Sequence, residues 1–149
     1  MTQPLLLTLD WFRHKLRCRT MSPAQALGER GEDLAHRYLR QHGHVVVARK
    51  YRPPNGHGEI DLVCWDKDTL VFVEVKTRST DEFGPPGCAV DAPKRDALIH
   101  AARHYVRRAG ASWDSVRFDV VEVILGRSVH IEHRKNAFSL SPPAQSHAR

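Results

Sequence analysis

Two apolar runs flank a four-residue polar turn between Gly58 and Lys76, and this stretch restricts the fold more than any other. The runs, Gly58 to Trp65 and Leu70 to Lys76, are rich in β-branched and aromatic residues and read as strands. Asp66-Lys67-Asp68-Thr69 between them suits a hairpin. Strand alternation puts Glu59, Asp61 and Val63 on one face, and Ile60, Leu62 and Cys64 on the other. On the second strand Phe72, Glu74 and Lys76 share a face opposite Val71, Val73 and Val75. A turn centred between Lys67 and Asp68 sets Asp61 across from Glu74, Glu59 across from Lys76, Leu62 across from Val73 and Ile60 across from Val75. One face is then apolar, while the other collects three carboxylates and one amine.

A single Glu–Lys pair on a strand is ordinarily an exposed, weak ion pair on a solvated face. That reading fits this ribbon poorly. Asp is depleted from strands, yet Asp61 lies within a strong apolar run. Like charges at Asp61 and Glu74 repel unless a cation lies between them. Two hard oxygen donors on adjacent strands are what Mg²⁺ or Mn²⁺ coordination requires. A lysine two residues beyond one donor, Lys76, can reach a water or a phosphate oxygen at the same place.

An Asp on one strand followed by Glu-x-Lys on the next resembles the divided active site of the PD-(D/E)XK nuclease superfamily. More narrowly, Gly58-Glu59-Ile60-Asp61-Leu62-Val63 before Phe72-Val73-Glu74-Val75-Lys76-Thr77-Arg78 resembles the YraN family of bacterial proteins. The likeness runs from about Leu27 to Phe138. It includes the opening run Gly28 to Ala35, the strand Arg117-Phe118-Asp119-Val120-Val121 and the closing Asn136-Ala137-Phe138. Ile60 precedes Asp61 where the superfamily motif has proline. The resemblance implies a restriction-endonuclease-like fold similar to archaeal Holliday-junction resolvases: an α/β, three-layer domain with a mixed central sheet flanked by helices. It further implies Mg²⁺ or Mn²⁺ held by Asp61, Glu74 and the Val75 carbonyl, with Lys76 and Glu32 completing the catalytic set. The implied substrate is nucleic acid, DNA in particular, and the implied assembly is a homodimer.

The length, 149 residues, suits one domain with a real core, and no stretch approaches a membrane span. A net charge of +6 fits a nucleic-acid partner only weakly, because half of it sits in the first twenty residues, at Arg13, Lys15, Arg17 and Arg19 against Asp10. Cys18, Cys64 and Cys88 form no paired framework and read as reduced thiols, pointing to the cytoplasm. Residues 1–20 read as an extension, disordered or marking a start placed before Met21. Their apolar stretch precedes the basic cluster, the reverse of a secretory signal. Residues 21–138 form the nuclease-like domain, and the Ser/Pro/Ala-rich residues 139–149 read as a disordered tail.

A first helix runs from Ser22-Pro23 or Gly28 to about His42, closed by Gly43, with Leu27, Leu34, Ala35, Tyr38 and Leu39 as its apolar stripe. Glu32 lies on the shoulder of that stripe and leans over the sheet toward Asp61 and Glu74, whereas Glu29 points further out. Val45 to Arg49 is a strand. After it, Tyr51 among Arg49, Lys50 and Arg52 has the makings of a base-stacking, phosphate-contacting group, although a solvated strand end is the simpler reading. The loop Pro53 to Gly58 leads into the site and carries His57, a weak candidate for proton transfer. Thr77 and Arg78 leave the Glu-x-Lys strand where a nucleic-acid backbone would pass. The loop with Phe83-Gly84-Pro85-Pro86-Gly87 follows.

Asp91 caps a second helix through Ala109, ended by Gly110, with Leu98, Ile99, Ala102, Tyr105 and Val106 on its apolar side. Lys94 in its first turn is a poor match to the helix dipole, and the resemblance gives a lysine there contact with substrate or site. His100 and His104 have zinc-pair spacing but no third ligand, so a solvated face with Arg103, Arg107 and Arg108 is the better reading. Arg117 to Ile124 is a strand buried on both faces, with Asp119 as a capping or structural acid, and Val129 to His133 is the last strand.

The order helix, strand, hairpin, helix, strand, strand gives a mixed sheet covered by helices. The functional expectation is a metal-dependent endonuclease acting on DNA, including branched repair or recombination intermediates. Arg52, Thr77, Arg78 and Lys94 are the expected nucleic-acid contacts. A nucleic-acid-binding module of the same fold without turnover is the alternative, and a plain interaction domain the third reading.

Overall fold

The computed structural model describes residues 21–80 and 90–138. The expectations for residues 1–20, for 139–149, for the loop at 83–87 and for Cys18 and Cys88 lie outside them. Helix α1 spans Pro23–Gln41, and Ser22 caps it in a reciprocal box with Gln25. Strand β1 covers Val45–Tyr51, β2 Ile60–Asp66 and β3 Thr69–Ser79. Helix α2, Ala92–Ala109, begins at the Asp91 cap and ends at Gly110 in the left-handed region, both as expected. A short 3₁₀ turn, Trp113–Ser115, then leads into β4, Val116–Leu125, and β5, Val129–Arg134.

The five strands form one sheet in chain order, antiparallel except for the β3–β4 pair. The parallel pair follows from α2, which carries the chain across one face so that β4 runs in the direction of β3. The β2–β3 turn is the tight one expected, with Lys67 at φ 55° supplying the left-handed backbone that a two-residue hairpin favours.

Both faces of the sheet are covered. Ala35 and Leu39 of α1 pack on Leu62, Cys64, Val71, Val73, Val121 and Val123. Leu98, Ala101, Ala102 and Val106 of α2 pack on Val63, Leu70, Phe72 and Phe118 of the other face. The result is a three-layer α/β fold of helix, mixed sheet and helix. Each large apolar side chain buried here contributes about 1.5–3 kcal/mol.

This corrects the expectation that one face of the β2–β3 ribbon is apolar and the other is set apart by its charges, since both faces carry core. Val63 and Phe72 on that face are buried under α2, and the acids gather at one end. A second correction concerns register. The ladder keeps the expected pairing from Asp66↔Thr69 to Leu62↔Val73 and no further. Beyond Leu62 the strands part, and alternation relative to β3 no longer governs β2. Ile60 therefore packs in the α2 cluster instead of beside Leu62 and Val75.

Candidate functional site

The parting of β2 from β3 is made by Asp61. Its Oδ2 accepts the Val75 N–H at 2.7 Å, so a carboxylate takes the place of a backbone bond at the mouth of the hairpin. Glu74 is 9 % exposed, and Lys94 of α2 reaches its Oε1 at 3.3 Å. Its Oε2 is buried and finds no hydrogen-bond partner among the described residues. Burial, and then the Glu74 carboxylate, push Asp61 up to about 7, against the pull of the Val75 N–H and of Lys94. The buried Glu74 and the partly buried Asp61 thus repel one another, and Lys94 offsets part of their charge.

Helix α1 brings the third acid, as its apolar stripe requires. Glu32 is raised above the usual carboxylate range, first by burial and then by the charge of Asp61, with Lys50 pulling the other way. Lys50 Nζ lies 3.5 Å and Arg49 Nη2 4.0 Å from its Oε2. Glu29 is further out and bonds Lys50. The closeness of α1 depends on Gly31: a Cβ there would lie 1.7 Å from the Thr77 Oγ1 on β3. Gly58 does the same on the opposite side, where at φ 82° a Cβ would meet the Ala97 carbonyl of α2 at 2.3 Å. Two glycines thus let both helices close on the strand ends that carry Asp61 and Glu74.

Sequence reasoning missed Lys50. The pairs Arg49↔Leu62 and Tyr51↔Ile60 flank it, so β1 sets it beside Asp61, and its φ of 48° turns it toward Glu29 and Glu32. The signal was hidden by a register shift between Val46 and Ala48, which short-range spacing does not reveal.

The remaining predicted residues fall in several places. Lys76 is partly buried on β3, in register with Glu122 and on the Glu74 side by alternation. Val75 pairs with Val121 in the same ladder. Arg52 is well exposed and pairs with Glu59. Thr77 packs on Gly31, and Arg78 forms an ion pair with the buried Glu122, its Nε 2.8 Å from one oxygen, with Arg134 3.2 Å from the other. Tyr51 does not stand free for a base: its hydroxyl meets His104, and its ring packs edge-on against Tyr105. His57 lies beside His100, whose Nε2 is 3.0 Å from the Asn55 Nδ2.

On β4, in register with Val73, Asp119 is fully buried and fully occupied. It takes Arg117 Nε at 2.8 Å and Nη2 at 2.9 Å, His133 Nε2 at 2.8 Å and the Asn136 N–H at 3.0 Å. Burial alone would raise it, but bonds from His133, Arg117 and Asn136 outweigh burial and hold it at about 2. His44, Asp119 and His133 bring metal-capable atoms within 4.8 Å of one another. Since Arg117 and His133 already satisfy the carboxylate, the cluster is a structural knot, as expected for Asp119. The closing motif belongs to it too: the Ala137 N–H bonds the Phe118 carbonyl at 2.8 Å, and the Phe138 ring packs tilted against Phe118. Cys64 close by is a buried thiol that burial pushes up to about 12.

Asp61, Glu74 and Glu32 are hard oxygen donors of the kind Mg²⁺ and Mn²⁺ take, and Asp61 with the orphaned Glu74 oxygen would hold such an ion first. The class defined by fold and site is a three-layer α/β protein with a divided Asp…Glu-x-Lys acid site at the end of its central hairpin. The chain belongs to the family described as "Uncharacterised protein family UPF0102", which matches residues 31–123. That span contains Glu32, Asp61, Glu74 and Lys76. A UPF0102 protein of Solibacter usitatus is 63% identical over 111 residues, covering 74% of this chain and 84% of its own. One from Koribacter versatilis is 44% identical over 115 residues, 76% of this chain and 80% of its own. One from Rhodococcus jostii is also 44% identical over 115 residues, 76% of this chain and 96% of its own. Among the described residues no helix is long and apolar enough to cross a membrane.

Proposed function

We propose that this chain is a divalent-metal-dependent endonuclease that hydrolyses phosphodiester bonds in DNA, with branched repair or recombination intermediates as its substrates in the cytoplasm. The observation that supports it most is the Asp61–Glu74 pair, in which each carboxylate faces the other and the buried Glu74 Oε2 finds no hydrogen-bond partner among the described residues. Asp61, Glu74 and the Val75 carbonyl would hold Mg²⁺ or Mn²⁺. When bound, such an ion lowers the pKa of water and offsets charge at a scissile phosphate. Lys76 places an ammonium on the Glu74 side, where it steadies charge developing on the phosphate oxygens. Glu32 adds a third carboxylate able to accept a proton from water, favoured by its raised pKa. Lys94, with Arg52, Thr77 and Arg78 at the margins, steers the nucleic-acid backbone toward the acids. A homodimer would present two such sites to a branched duplex.

The Lys94–Glu74 ion pair supports a second reading, in which the acids are held by lysine and the protein binds nucleic acid without cutting it. One experiment separates them: Mn²⁺ and Mg²⁺ titrations against single-stranded, duplex, flapped and four-way-junction DNA, with Asp61→Ala and Lys76→Ala alongside. Metal-dependent cleavage lost in both variants supports the nuclease. Binding without cleavage at any metal concentration supports the second reading, and cleavage that persists in both variants removes the site assigned here.

A further inference from the structure

On the outer side of α1, next to the acids, lies a pocket of about 270 Å³ lined by Asp33, His36, Arg37, Arg40 and Arg49. The spacing of residues 33, 36, 37 and 40 puts them on one helical face, and Arg49 closes the pocket from β1. Arg37 and Arg40 are exposed and also line a neighbouring hollow that reaches Gln41, so the guanidinium groups edge a longer depression. Three arginines against the single carboxylate of Asp33 leave a local charge of about +2 at neutral pH. Arg49 is committed to Asp33, with Nη2 at 2.7 Å from Oδ1, whereas Arg37 and Arg40 have no such carboxylate in the pocket lining. His36 is held below its ordinary value, first by burial and then by Arg49 and Arg40, so it stays a neutral hydrogen-bonding group.

The position gives the pocket its meaning. Arg49 spans both features, since the same Nη2 lies 4.0 Å from Glu32 Oε2. Along α1, Arg37 and Arg40 stand five and eight residues past Glu32. At 1.5 Å per residue that is roughly 8 and 12 Å. A duplex strand advances about 3.4 Å per nucleotide, so this distance corresponds to about two to four nucleotides.

We infer that the His36–Arg37–Arg40–Arg49 pocket is a phosphodiester-binding subsite that grips the nucleic-acid backbone about two to four nucleotides from the bond at the acid site. The inference rests on the nuclease reading for the last clause only; the backbone grip stands whether or not the chain cuts. Arginine forks match phosphate oxygens in pairs of parallel hydrogen bonds, and the contact carries no sequence information.

The test is equilibrium binding of a fluorescent 20-base-pair duplex to the full chain in EDTA, at salt concentrations from 50 to 200 mM. The proteins are wild type, Arg37→Ala/Arg40→Ala, and Arg107→Ala/Arg108→Ala as a control of equal charge on exposed arginines of α2. Each lost phosphate contact lowers the slope of log K against log salt by about 0.9. The expected result is a slope lower by about 1.8 in the α1 variant, for every duplex sequence, and an unchanged slope in the α2 variant. Equal loss in both variants means bulk charge alone and overturns the inference, as does an unchanged slope in the α1 variant or the absence of duplex binding by wild type. Binding to anionic phospholipid vesicles that needs Arg37 and Arg40, in place of duplex binding, overturns it too. Failure of the nuclease reading is distinguishable, because a chain that never cleaves still shows the slope change in EDTA. Conversely, a pocket that fails leaves metal-dependent cleavage of long duplexes intact.

Discussion

Asp61 and Asp119 lie on strands either side of β3, the first partly buried and the second wholly, and their surroundings push them in opposite directions. Asp119 receives four hydrogen bonds, two from one arginine, and is held at about 2. Asp61 accepts the Val75 N–H, faces Glu74 and is pushed up to about 7. The first is a completed network; the second is a charge imbalance built at the mouth of a hairpin. Burying a carboxylate without full compensation costs stability, and that imbalance is what supports the proposed metal site at Asp61 and Glu74.

The comparison can be broken most forcefully at the satisfied end. Asp119→Ala leaves Arg117 and His133 without their buried acceptor, and we expect a loss of about 3–5 kcal/mol in urea unfolding. A loss below about 1 kcal/mol would mean that the network is ornamental. At the other end, Gly31→Ala drives a methyl group into Thr77. It should cost about 1–3 kcal/mol and, by lifting α1, separate Glu32 from Asp61. Chemical-shift changes confined to α1 and the Thr77 segment would check the displacement.

Asp61→Asn works in the opposite sense. The amide oxygen still accepts the Val75 N–H while the repulsion with Glu74 disappears. In metal-free buffer at pH 8 the variant should be more stable than wild type by at least about 1 kcal/mol, since each pKa unit is worth about 1.4 kcal/mol. The pH profile sharpens this. A carboxyl whose folded pKa is raised contributes stability that is full below its unfolded value and lost as pH rises through about 7. A depressed carboxyl contributes stability that is present above its unfolded value and lost as pH falls through about 2. Thermal midpoints of the metal-free protein should therefore decline on both sides, and Asp61→Asn should flatten only the limb between about pH 4 and 7. Arg52→Ala, which removes a largely exposed partner of Glu59, should change stability by less than about 0.5 kcal/mol.

The two ends also differ in how far the sequence revealed them. Asp61, Glu74 and the lean of Glu32 follow from a tight turn and one helical wheel, both short-range, and the structure places them together. Helix α2 was bounded by its own caps, Asp91 and Gly110. Lys50 was hidden because its place beside Asp61 depends on a β1–β2 register displaced between Val46 and Ala48. Nothing local shows that His104 and Glu122 lie across the fold from Tyr51 and Arg78, so neither contact is legible in the sequence. Asp119 was recognised as structural, but its partners came from β5 and the turn after it, beyond any spacing rule. The motifs of the resemblance likewise divide into two sorts. Gly31, Asp61 and Glu74 shape the acid site, whereas Arg117, Asp119 and Phe138 tie β4 to β5 and to the segment that follows it.

The most direct measurement is the thermal midpoint at pH 8 as Mn²⁺ is titrated, for wild type and for Asp61→Asn. If the Asp61–Glu74 pair is an imbalance that a divalent ion corrects, wild type rises steadily with Mn²⁺, by about 2.7 kcal/mol at one hundred times the dissociation constant, and Asp61→Asn stays flat. No rise in wild type at millimolar Mn²⁺, or an equal rise in both proteins, would contradict the account.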